Sequence, residues 1–112
     1  MLTDHFDIDA MDMLREVMED EFPELIQVYL EDSDARLPQL HTAVNDGNAV
    51  VVRELAHSFK GASSNISAAP LAKLCYALEM AGKNSDLAQA PELVGQIEQE
   101  YSQVRRLLTE MI

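Results

Sequence analysis

Arg53, His57, Lys60, Gly61 and Ser64 combine residue types and spacings that suit phosphoryl chemistry. His57 offers an imidazole whose neutral form is a nucleophile near pH 7. Lys60 places an ammonium three residues further on, and an ammonium meets phosphate oxygens as a point charge. Gly61 follows directly, Ser64 lies one turn beyond, and Arg53 lies one turn before the histidine. Residues three and four apart are neighbours on a helix, so a helix would gather all five on one side.

The surrounding residues require that helix. Val52, Leu55, Phe59, Ala62 and Ile66 recur at alternating three- and four-residue steps, the period of a helix face packed on a core. At about 100° per residue, His57 falls roughly 170° from the centre of that stripe and points at water. A mid-helix glycine costs about 0.5–1 kcal/mol relative to alanine, and close approach of a second molecule to His57 would offset the cost of Gly61. The run Gly61-Ala62-Ser63-Ser64 leaves little bulk beside the imidazole. The face therefore reads as a phosphate-accepting histidine with a counter-cation and an open approach.

His57-Ser58-Phe59-Lys60-Gly61 resembles the HxxKG signature of the histidine-containing phosphotransfer (HPt) family. The similarity extends to Tyr29-Leu30-Glu31-Asp32 and Leu37, Leu40 and Val44 before Asp46-Gly47-Asn48, and to Leu71, Leu74, Cys75, Leu78 and Glu79 after the signature. It covers roughly the middle half of the chain, with the flanks fitting by pattern. Many family members carry glycine ten residues after the histidine, where this chain has Ser67. That residue falls at the end of the helix, where it bears on how the helix stops and how a partner docks.

Composition bounds the function. The 112 residues suit one domain spanning 1–112, and at 47% hydrophobic they can bury a core. Eight Lys and Arg against twenty Asp and Glu give a net charge of −12. That balance argues against nucleic acid, whose affinity rests on neutralising phosphates, and against anionic membrane surfaces. The single cysteine, Cys75, cannot form an internal disulfide and sits on an apolar stripe. No leader and no run of membrane-spanning length is recognisable, so a cytoplasmic location is expected.

The elements that position the site are all helical. Asp7 or Asp9 can cap a short helix to about Met18, with Ile8, Met11, Leu14 and Val17 or Met18 on one side. Met1–Phe6 is expected to fray, with His5 incidental. Pro23 suits the first turn of a second helix, whose stripe runs through Phe22, Tyr29, Ser33, Leu37, Leu40 and Val44, and Pro38 should kink or restart it. Asn45-Asp46-Gly47-Asn48 is a stop and restart, with Gly47 in the left-handed position and Asn48 as the cap of the helix from Ala49 to Ile66. Ser67 can cap a fourth helix with Pro70 in its first turn, and Gly82 ends it. The short connection makes this helix antiparallel to the one bearing His57. Asp86 and Gln89 resemble a capping pair before Pro91. Leu93, Ile97, Tyr101, Val104, Leu108 and Met111 then give the cleanest period in the chain, with Arg105 and Arg106 near the helix end complementing its dipole. The expected fold is all-α, an up-down four-helix bundle with an additional short N-terminal helix, and the resemblance implies the same.

The chain lacks a Gly-rich phosphate loop, a kinase signature and a carboxylate cluster suited to Mg²⁺ on the His57 face. It has no independent kinase activity on this reading. A partner must supply the aspartate and the Mg²⁺, and no cofactor is bound by this chain itself. The resemblance implies that the partners are receiver domains. One, on a sensor or hybrid kinase, donates from its phospho-aspartate to His57, and another, on a response regulator, takes the group onward. In that scheme His57 is the phosphohistidine, Lys60 stabilises phosphoryl oxygens, Gly61 clears the partner's path, Ser64 donates a hydrogen bond and Arg53 adds positive potential. A monomer is expected. The competing reading is a non-phosphorylated helical adaptor, which has no use for His57, Lys60 and Gly61 together. A metal-binding bundle would want inward Glu and Glu-x-x-His pairs, which are absent.

Overall fold

A computed structural model describes all residues from Met1 to Ile112. Five α-helices follow in order: α1 (Ile8–Met18), α2 (Phe22–Asn45), α3 (Ala49–Asn65), α4 (Ala69–Lys83) and α5 (Ala90–Met111). Short 3₁₀ turns precede α1 and join it to α2. The four long helices neighbour one another in a ring from α2 to α3, α4, α5 and back to α2, and α3 and α4 pair most closely. This is the expected up-down bundle with a short added helix. No helix is long and apolar enough to cross a membrane.

The helical stripes meet in one core. Val52, Phe59 and Ile66 of the α3 stripe are buried, together with the small Ala56 and Ser63 beside them. Ile26, Leu40, Leu71, Leu78, Ile97, Val104 and Leu108 close around them from the other helices. The Phe59 ring meets Tyr101 edge-on with centroids 5.7 Å apart. Two buried hydroxyls pair across the core, Tyr29 Oη and Ser63 Oγ, at 2.9 Å. Burial pushes the Tyr29 hydroxyl's pKa well above the ordinary phenol range.

Three helix ends close by one device. After α2, the Asn48 N–H bonds the Ala43 carbonyl and the Gly47 N–H bonds that of Val44, with Gly47 at φ +67°. After α3, Ala68 bonds Ser63 and Ser67 bonds Ser64, with Ser67 at φ +66°. After α4, Asp86 bonds Ala81 and Ser85 bonds Gly82, with Ser85 at φ +53°. Each is a Schellman turn with a left-handed residue just past the helix. Gly47 and the Asn48 cap fall where the sequence placed them, and Asn48 Oδ1 accepts from the Val51 N–H. Ser67 does not cap α4. It occupies the left-handed position instead, Ala68 takes the cap position, and the Ser67 carbonyl accepts the Asp7 N–H.

Several other expectations change. Helix α2 runs through Pro38 without a break, because the residues around it pack along one uninterrupted core face. The N-terminal residues are not frayed: Phe6 is buried and His5 Nδ1 lies 2.7 Å from Glu100 Oε2 on α5. Gly82 does not end α4, which continues through Lys83. Gln89 rather than Asp86 precedes α5, and Asp86 Oδ1 accepts from the Ala88 N–H. Arg105 does more than face a helix dipole. It donates to both carboxylate oxygens of Asp34, at 3.0 and 2.7 Å, and ties α5 to α2. Tyr101 Oη donates to the same carboxylate at 2.7 Å.

Candidate functional site

His57 stands on the outer face of α3 with two thirds of its side chain (66%) exposed. Its neighbours Ala56 and Phe59 are fully buried, so the helix is anchored directly beneath it. The imidazole has one side-chain partner. Nδ1 lies 3.0 Å from Glu79 Oε2, a carboxylate on α4 that is only 13% exposed. A carboxylate can only accept, so Nδ1 donates to Glu79, and in the neutral form of the ring the lone pair then lies on Nε2.

The same carboxylate holds Lys60. Glu79 Oε1 lies 2.7 Å from Lys60 Nζ, and that ammonium sits 5.3 Å from the centroid of the Tyr76 ring. The Lys60 ammonium, with the His57 hydrogen bond adding to it, holds the Glu79 carboxyl below its ordinary value of 4.5 against the opposing effect of burial. Glu79 therefore stays anionic and braces two residues of α3 at once.

A pocket of about 400 Å³ opens beside the imidazole between α3 and α4. Arg53, Glu54, His57, Glu79, Gly82, Lys83 and Ser85 line it, together with Val50. At Gly82, one of its lining residues, the two helices come very close. A Cβ there would stand 2.8 Å from the Ala49 carbonyl oxygen, 2.8 Å from the Arg53 nitrogen and 2.9 Å from the Arg53 Cβ. At Gly61 a Cβ would meet nothing within 4 Å. That glycine leaves open surface next to His57.

Of the residues singled out in the sequence, His57 and Arg53 share the pocket, Lys60 joins His57 through Glu79, and Gly61 lies exposed beside them. Ser64 stands apart. It lines a separate hollow with Asp7 and Ser67, near the start of α1. The sequence reading missed the bracing role of Glu79, which figured only as part of the following helix. A signal for it existed. In an antiparallel pair turning at Ala68, residues equally far on either side face each other. His57 and Glu79 each lie eleven residues from Ala68, and Lys60 and Tyr76 each lie eight. No group of three or more His, Cys, Asp or Glu side chains is placed to hold a metal ion.

An exposed histidine on the second helix of a four-helix bundle, oriented through Nδ1, defines the class. The chain belongs to the histidine-containing phosphotransfer family: residues 24–107 match the family model described as the Hpt domain. It is a phosphotransfer carrier of two-component phosphorelays, whose family members pass phosphoryl groups between receiver domains. Among solved structures it is similar to histidine-containing phosphotransfer protein B from Pseudomonas aeruginosa PAO1. The two share 43% identity over 96% of this chain and 93% of that one, with a TM-score of 0.93. No curated protein sequence matches the chain.

Proposed function

We propose that His57 is the residue that carries the phosphoryl group, accepting it from the phospho-aspartate of a sensor or hybrid kinase receiver and passing it to a response-regulator receiver. The observation that carries this reading is the exposed imidazole held at Nδ1 by Glu79. The Nε2 lone pair attacks phosphorus, the N–P bond forms, and the P–O bond to the receiver's aspartate breaks with the electron pair leaving on that carboxylate. Nδ1 keeps its proton, so the ring gains positive charge as the bond forms, and the Glu79 carboxylate faces that charge. Mg²⁺ belongs to the partner receiver, where it neutralises phosphoryl oxygens.

Lys60 acts twice in this scheme. It holds Glu79 anionic and in place, and its ammonium lies one turn from the phosphoryl group. Gly61 keeps the surface low, so that the receiver's active site can reach Nε2. Arg53 adds positive potential from the turn before. Ser64 is a candidate contact for the partner rather than for the phosphoryl group, since it lies outside the pocket. The chain works as a monomer, one bundle presenting one histidine.

Transfer of radiolabelled phosphate from a phosphorylated receiver with Mg²⁺ tests the reading, with wild type compared to His57→Gln. Label on wild type that is acid-labile and alkali-stable, and absent from the variant, is the expected result. Retained label in a folded His57→Gln protein would remove His57 from its role.

A further inference from the structure

Three of the chain's eight basic residues surround His57, in a protein that carries twenty carboxylates. One of them, Lys60, is paired with Glu79. The other Lys and Arg ion pairs are those of Arg105 with Asp34 and Arg106 with Glu110, so Arg53 and Lys83 have no carboxylate partner. Both line the pocket beside the imidazole. They stand on facing helices, each fifteen residues from Ala68 along the antiparallel pair. Gly82 brings the backbone next to Lys83 against Arg53 itself, at a separation that would not admit a methyl group.

Resting on the reading of His57 as the phosphoryl carrier, we propose that Arg53 and Lys83 form an anion clamp that receives the phosphoryl oxygens on the side of His57 away from Lys60. Helical side chains lean toward the helix N-terminus, so the His57 ring reaches back over the turn that bears Arg53. Lys83 comes to the same place from the end of α4. A phosphoryl group adds nearly two negative charges to a chain already at −12, and cations free of other partners can meet that charge without breaking an existing pair. Glu54 and Glu79, which also line the pocket, oppose the anion, and Lys60 offsets Glu79. The clamp and Lys60 thus divide the work: Lys60 fixes the imidazole through Glu79, and Arg53 and Lys83 bind what the imidazole carries.

Lys83 lies in the last turn of α4, where a cation also complements the helix dipole. The test must separate the two roles. Phosphoramidate, a small anionic phosphoryl donor, needs no receiver and so removes partner docking from the measurement. Second-order labelling rates are compared for wild type, Arg53→Gln, Lys83→Gln, the double variant, Lys83→Arg and His57→Gln, each across a series of salt concentrations. The clamp predicts a fall of roughly threefold for each single substitution and tenfold for the double variant, as expected for loss of partly screened charges. It also predicts a flatter salt dependence for the double variant and a smaller loss for Lys83→Arg, which keeps the charge, than for Lys83→Gln. A wild-type rate and salt slope in the double variant would overturn the clamp and leave His57 standing. A shift in melting temperature with no change in rate would assign Lys83 to the dipole and overturn it equally. Wild type labelled no more than His57→Gln would overturn the His57 reading, and the clamp with it.

Discussion

The close approach of α3 to α4 at Gly82 can be tested with one methyl group. In Gly82→Ala the new Cβ meets three atoms at 2.8–2.9 Å, two of them backbone atoms of Ala49 and Arg53 that cannot rotate away. Relief requires the start of α3 to move off α4. Overpacking of this kind costs about 1–3 kcal/mol, and the helix propensity gained by replacing glycine returns only about 0.5–1 kcal/mol. A net loss of about 1–2 kcal/mol follows, which lowers a urea midpoint by about 1 M at the usual slope. Gly61→Ala is the control, because its Cβ meets nothing, and it should raise stability by about 0.5–1 kcal/mol. The displaced α3 also carries His57 away from Glu79, so Gly82→Ala should slow phosphoryl transfer as well. Equilibrium urea unfolding of the three proteins decides the matter. Gly82→Ala as stable as wild type, or stabilised like Gly61→Ala, would refute the reasoning.

Other outcomes follow from the same geometry. Ser67→Gly should raise stability by about 0.5 kcal/mol in thermal unfolding, since the left-handed φ is relieved and part of the gain is returned to the more flexible unfolded chain. Glu79→Gln should leave the bundle folded but slow labelling of His57, because an amide can present either its oxygen or its NH₂ to Nδ1 and no longer opposes the ring's positive charge; labelling rates set beside the circular dichroism spectrum check it. The Asp34 carboxyl, chiefly through its hydrogen bond from Arg105, and the Glu79 carboxyl, chiefly through Lys60, are both held below the ordinary carboxylate range. Their contribution to stability is therefore whole above that range and is lost as pH falls through the lowered values, so the double variant Asp34→Asn, Glu79→Gln should show a shallower acid limb in urea midpoint against pH. Burial pushes the Cys75 thiol up to about 12, so a thiol reagent should modify it only in denaturant.

Most of the architecture was legible because the apolar periods of α3 and α5 are clean and their breaks carry strong turn chemistry. Gly47 and Asn48 mark a helix end and a cap by residue type alone, and both occupy those positions. Ser67 and Ser85 do not announce a left-handed turn, since serine is a common cap and loop residue. Their role appears only when the chain must reverse tightly between packed helices. Pro38 and Arg105 were read too locally for a related reason. Local rules allowed a restart at Pro38 and a dipole contact for Arg105, whereas α2 is one helix through Pro38 and Arg105 stands opposite Asp34. His57 was visible as an exposed helical residue with Lys60 nearby. Glu79 and Lys83 were not, because each acquires meaning only from the residue it faces across the α3–α4 pair.

The position of phosphorus on the imidazole tests the central claim most directly. Phosphorylated protein labelled with ¹⁵N at histidine should show a phosphorus coupling to Nε2 of His57, with Nδ1 protonated toward Glu79, and no coupling at His5 or His41. A coupling at Nδ1 of His57, or on either of the other histidines, would contradict the account.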